Sequence, residues 1–178
     1  MISDEGKMQE LIAKYGSKEA FYSYLETQLP PNGCGECTAC CYANPIAPEQ
    51  DADIAHGPHK PCKYLCGKGC TIYDKRPIIC RSFFCLWRLH GWVNKMEQYR
   101  PDKLGILIDV SHLHSNPPLM EATELWDGAF NDPRYRYILQ KLQLTKLTIR
   151  EFPYSVCKDA EAHDRYELDG RRALTVIS

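Results

Sequence analysis

No stretch of this chain reaches the roughly 20 consecutive apolar residues that a membrane-spanning helix needs, which sets a membrane partner aside. The opening Met1-Ile-Ser-Asp-Glu-Gly-Lys also puts acidic residues where an export signal carries a basic and then an apolar region. The expectation is a cytoplasmic protein whose thiols stay reduced. There is no glycine-rich phosphate loop, no HExxH and no GxSxG, so none of these motifs supplies a catalytic constellation. Net charge is only −1, which argues against nucleic acid held by bulk electrostatics. What the chain has instead is cysteine. Nine of the ten lie within 52 of its 178 positions, from Cys34 to Cys85.

The first run is Cys34-Gly-Glu-Cys37-Thr-Ala-Cys40-Cys41, and Cys62, Cys66, Cys70, Cys80 and Cys85 follow. CxxC lets two sulfurs reach one metal from a tight turn while the intervening amides point at them. Three closely spaced cysteines with a remote fourth is a common way of holding an iron–sulfur cluster, whereas zinc sites usually pair two separated CxxC knuckles. That favours a 4Fe–4S cluster, with zinc as the alternative. Adjacent Cys40 and Cys41 cannot easily share one mononuclear ion, so they serve two centres or one of them is not a ligand. Cys62, Cys70, Cys80 and Cys85 complete a set of eight, enough for two four-coordinate sites, which leaves Cys66 as the odd thiol. A nine-thiolate zinc cluster would use Cys66 as well. A disulfide framework fits poorly with a vicinal pair in a reducing compartment. Cys157, remote from the run, reads as a plain thiol.

Residues 56–90 carry seven Lys/Arg against Asp74 alone, a net +6 that would offset the negative charge of thiolate-bound metal. Arg76 and Arg81 are the candidate cofactor-binding residues there. His56 and His59 are loop histidines, with a ligand role as the sharper alternative, and His112-Ser-His114 is a possible metal pair. Glu121, Glu124 and Asp127 read as solvated carboxylates near a strand end, with an acid or base role as the sharper alternative.

Apolar spacing predicts helices over about 3–15 and, after Gly16-Ser17, up to Pro30. A further helix should run from Pro77 through the Trp87–Trp92 region, and another from Asp132-Pro133 to about Leu144. Leu104–Val110 and Leu119–Trp126 read as neighbouring strands. Asp169-Gly170 reads as a type I′ hairpin turn. The expected fold is α+β: a helical N-terminal part and an irregular, metal-bound cysteine core packed with a small antiparallel sheet. Residues 1–178 are read as a single domain, with the cysteine core at 34–85 and the sheet with its helix at 100–178.

The order CxxCxxCC, then Cys62, Cys70-Thr-Ile-Tyr73, Arg76-Pro77 and Cys80-Arg81-Ser-Phe83 resembles the CxxCxxCC family of zinc- or iron-chelating cysteine cluster proteins. The resemblance implies metal chelation by Cys34, Cys37, Cys40, Cys41, Cys62, Cys70 and Cys80, while Cys66 and Cys85 fall at less regular positions. Pro101–Ile106 and Trp126–Ala129 look similar in a looser way. A related cysteine region occurs in much longer flagellin lysine methylases. The functional expectation is therefore a metal-binding protein for electron transfer or metal handling, whose protein or small-molecule partner is unknown. The alternatives are a cluster-dependent, methyltransferase-like modifying enzyme and a structural zinc interaction module.

Overall fold

A computed structural model describes residues 9–10, 13–29, 34–67, 69–110, 119–144, 147–159, 161–162 and 174–176. Helix α1, Lys18–Gln28, starts where the sequence predicts. Gly16 turns the chain at φ +88, and the Ser17 hydroxyl accepts a hydrogen bond from the Ala20 amide at 3.0 Å. Of the helix expected over 3–15, Gln9–Glu10 and 13–15 are described, and both pieces are helical.

The cysteine-rich segment is built from short pieces. They are α2 (Cys40–Ala43), the two-residue strands β1 (Leu65–Cys66) and β2 (Gly69–Cys70), a 3-10 turn at Tyr73–Lys75, and α3 (Ile78–Arg81). The proline-bearing loop between the two cysteine groups is tied at its base, where Ile46 and His56 exchange backbone hydrogen bonds of 2.9 and 3.0 Å. The helix expected from Pro77 to Trp92 is broken into α3, α4 (Leu86–Leu89) and α5 (Gly91–Asn94). The physical reason lies in the sheet. Cys85 is held in extended backbone by its bridge to Asp109, and the Val110 amide donates to the neighbouring Phe84 carbonyl at 3.2 Å.

After α6 (Pro101–Leu104) the chain enters a four-stranded sheet of β3 (Ile106–Asp109), β4 (Leu119–Glu124), β5 (Thr148–Phe152) and β6 (Leu174–Val176), in that order. The α+β class is as expected, and β3·β4 and β5·β6 are antiparallel. The central β4·β5 pair is parallel, Leu119 facing Thr148 and Thr123 facing Phe152. The connection explains the difference. A crossover through α7 (Pro133–Lys141) returns the strand in its original direction, as a tight hairpin cannot. Asp132 caps α7 by accepting from the Arg134 amide at 2.8 Å, with Pro133 in the first turn. The predicted Asp169-Gly170 turn and His112/His114 lie outside the described residues.

Tyr135, Ile138 and Leu139 of α7 pack against Met120, Ala122 and Ile149 of the sheet, all essentially inaccessible to solvent. The same apolar cluster takes in Ala39, Ala43 and Cys85, so the cysteine segment is rooted in the core. Glu121 and Glu124 are not solvated acids. The buried Glu124 carboxylate accepts the amides of Phe130 (2.7 Å) and Tyr154 (2.9 Å), and Glu121 pairs with Arg150 at 3.0 Å.

Gly105 ends α6 in the left-handed region at φ +83, and a Cβ there would stand 2.5 Å from Trp126 Cζ2 and 2.8 Å from Ala129 Cβ. Gly105→Ala is expected to cost about 2 kcal/mol from backbone strain and overpacking together. Urea denaturation checks this through a lower midpoint at unchanged slope. A midpoint equal to wild type would show that neither the left-handed backbone nor the Trp126 contact opposes a Cβ at this position.

Candidate functional site

One cavity of about 190 Å³ gathers most of the cysteines, a space far larger than the ~10–15 Å³ that admits one water. Cys34, Cys37, Cys40 and Cys41 line it from the first run, and Cys62, Cys70 and Cys80 from the second. Short elements deliver them. A 2.9 Å hydrogen bond from the Cys37 amide to the Cys34 carbonyl closes the first turn, α2 carries Cys40 and Cys41, and the β1·β2 ribbon carries Cys70. The Cys62 amide donates to the Cys41 carbonyl at 2.9 Å, which brings the second group against the first. All ten cysteines are free thiols.

The two cysteines at irregular positions behave differently from each other. Cys85 is buried in the apolar core behind the cavity, with Cys37 and Cys40 packed against that core. Cys66 is exposed and lines a separate polar cleft with Glu36, Arg100 and Asp102. Cys157 is buried beneath Phe152, donating to its carbonyl at 3.4 Å.

Backbone amides act on three of the thiols. The Ala39 and Asp102 amides favour the Cys37 thiolate, the Ile72 amide that of Cys70, and the Arg88 and Trp87 amides that of Cys85. Such N–H···S bonds orient a thiolate and stabilise its charge. Burial nonetheless pushes Cys37 and Cys85 up to about 12 and Cys80 up to about 11, because a lone thiolate in an apolar wall is costly. The hydrogen bond between the Cys40 and Cys41 thiols keeps the proton on Cys40 and lowers Cys41, which the Arg76 charge also favours. Among the described residues, no three His, Cys, Asp or Glu side chains are drawn close enough to hold a single metal ion.

Arg76 lines the cavity. Its guanidinium stacks on the Tyr73 ring at 3.6 Å, and Tyr73 Oη accepts the Cys34 amide at 3.3 Å. Arg81, the other candidate, is not among the cavity residues; it reaches Ser23 Oγ (2.7 Å) and Glu26 (3.0 Å). Glu26 is the residue that sequence reasoning missed. Its carboxylate takes Arg76 at 3.1 Å, Arg81 at 3.0 Å and Arg88 at 2.8 Å, so three guanidinium charges from the cysteine segment share one carboxylate on α1. A single Glu on the mixed surface of a predicted helix carries no local signal of that role.

The histidines separate. His59 is buried at φ +51, edge-on to Tyr42 and Tyr154 with ring centroids 5.1 Å away, rather than lying exposed in its loop. His56 lines the cysteine cavity. Its Nδ1 lies 2.7 Å from the Ile54 carbonyl, which can only accept, so Nδ1 carries the proton and Nε2 is the unprotonated nitrogen. Nε2 is buried without a hydrogen-bond partner among the described residues.

No protein-family model, curated protein or solved structure matches this chain.

Proposed function

We propose that the chain is a metal protein whose clustered cysteines hold a thiolate-ligated iron–sulfur centre, 4Fe–4S rather than zinc, for electron transfer or metal handling. The observation that carries this reading is the cavity itself. The seven thiols that line it are the seven that the resemblance to CxxCxxCC cysteine cluster proteins names. The donor chemistry fits. Soft sulfurs beside the Arg76 guanidinium suit an anionic metal–sulfur group of several atoms. Such a group, when bound, supplies one-electron chemistry. The residues of this chain hold it, shield it with Ile54 and Phe83, and balance its charge.

Among the described residues no helix is long and apolar enough to cross a membrane. Ten free thiols suit a reducing compartment, and we place the protein in the cytoplasm on that ground.

The test is iron, zinc and acid-labile sulfide per chain on protein purified without oxygen, with its visible absorption spectrum. Iron and sulfide in equal amounts with a brown chromophore are expected. Zinc in colourless protein would overturn the iron–sulfur assignment but keep the metal reading, and metal-free folded protein would overturn both.

A further inference from the structure

Resting on that metal reading, we infer that the chain holds two centres rather than one, divided between Cys40 and Cys41. Cys34, Cys37, Cys40 and Cys85 form one set, and Cys41, Cys62, Cys70 and Cys80 form the other. The resemblance names seven cysteines and does not say how they are shared. Cysteine spacing adds Cys85 as an eighth, and the tertiary structure supplies a division.

Packing separates the sets. Cys37 and Cys40 lean on the apolar core in which Cys85 is buried. The Cys41 carbonyl instead takes the amide of Cys62, and the β1·β2 ribbon and α3 bring Cys70 and Cys80 to that side. Electrostatic neighbours divide in the same way. The Cys85 thiol feels Cys34, and the Cys40 thiol feels Cys34 and Cys85. Cys37 feels Cys85. The Cys80 thiol feels Cys41, Cys62 and Cys70, and the Cys70 thiol feels Cys41 and Cys62. The sets meet at the hydrogen bond between the Cys40 and Cys41 thiols. Each set also has its own cation. Arg88 acts on Cys85, and Arg76 acts on Cys41, Cys70 and Cys80.

The vicinal pair acquires a physical reason on this division. Successive side chains in the first turn of α2 point in different directions, so one sulfur serves the core-side set and its neighbour the ribbon-side set. Two-cluster ferredoxins likewise send one cysteine of a spaced run to the other cluster. Cys66 belongs to neither set, because it faces the polar cleft beyond the ribbon. The two centres are joined through neighbouring residues whose Cα atoms lie about 3.8 Å apart, so their unpaired spins should interact.

The experiment uses the whole chain purified without oxygen. Wild type is expected to hold about eight iron and eight sulfide, twice the content of one 4Fe–4S centre. Zinc in place of iron and sulfide overturns the division together with the iron–sulfur reading. Cys85→Ser and Cys80→Ser should each retain about half, from opposite sets, while Cys66→Ser and Cys157→Ser retain the full content. Should the ligand variants fail to fold, paramagnetic resonance of reduced wild type decides. Two mutually broadened spins per chain support the division, and one isolated spin overturns it. One centre per wild-type chain, or full metal content in Cys85→Ser, overturns the division while leaving the metal reading intact. Wild type without metal overturns both.

Discussion

Glu26→Ala is expected to destabilise the chain by about 3 kcal/mol, because it leaves the guanidinium groups of Arg76, Arg81 and Arg88 facing one another without their shared carboxylate. The cost is large for a surface helix because the site is not a surface ion pair. The Arg88 side chain is only 4% exposed and that of Glu26 26%, so water screens the contact poorly. Glu26→Gln should recover part of the loss by keeping an acceptor. The effect has a pH signature. Burial alone would raise the Glu26 carboxyl, but hydrogen bonds from Arg81 and Arg88 and the charges of Arg81 and Arg76 hold it below its ordinary 4.5. A carboxylate whose folded value is depressed stabilises the fold fully above its unfolded value, and that stability is lost as pH falls through the folded value. The stability gap between wild type and Glu26→Gln should therefore be constant near neutrality and shrink below about pH 4.5. Urea titrations of both chains measure it. A gap that did not move with pH would show that the carboxylate is not charged in the native state.

The second large effect concerns the metal. On the proposed reading, stripping it with a chelator should loosen residues 34–84 while β3, β4 and β5 stay folded. That segment contains two strands of two residues, single-turn helices and no disulfide, so little in its own backbone holds it together. Small zinc-dependent domains draw about 10–16 kcal/mol of apparent folding energy from their metal. Here the effect should stay regional, because Tyr135, Met120, Ile138 and Ile149 are joined by α7 and the strand pairing of the sheet, and Cys85 is the one proposed ligand buried in their cluster. Hydrogen exchange provides the check. The amides of Ile46, His56 and Cys62, each bonded within the cysteine segment, should exchange at least about a hundredfold faster after stripping, a change of roughly 3 kcal/mol. Those of β4 should change little. Unaltered protection at Cys62 in metal-free protein would mean that the segment is held by packing alone.

Both effects rest on features whose visibility in the sequence differs. The density and spacing of the cysteines were legible because a tight turn can be recognised from a few residues. So were the Ser17 and Asp132 caps and the strand within Leu104–Val110, each defined by chemistry local to its own backbone. Longer-range relations were not. The Pro77–Trp92 stretch reads as helical, yet the bridge to Asp109 holds Cys85 extended, a choice made by a residue more than twenty positions away. β4 and β5 run parallel because α7 carries the chain back across the sheet. Glu26 became a hub only when α1 met three arginines at least fifty positions further along. The amino-acid sequence by itself thus determined that this is a chain of clustered thiols on an α+β frame. Which sulfurs line one cavity, that Cys85 is buried in the core while Cys66 faces another cleft, and which carboxylate pairs with the three arginines were decided by tertiary structure. Spacing limits how far apart two side chains can be, and packing determines where they point.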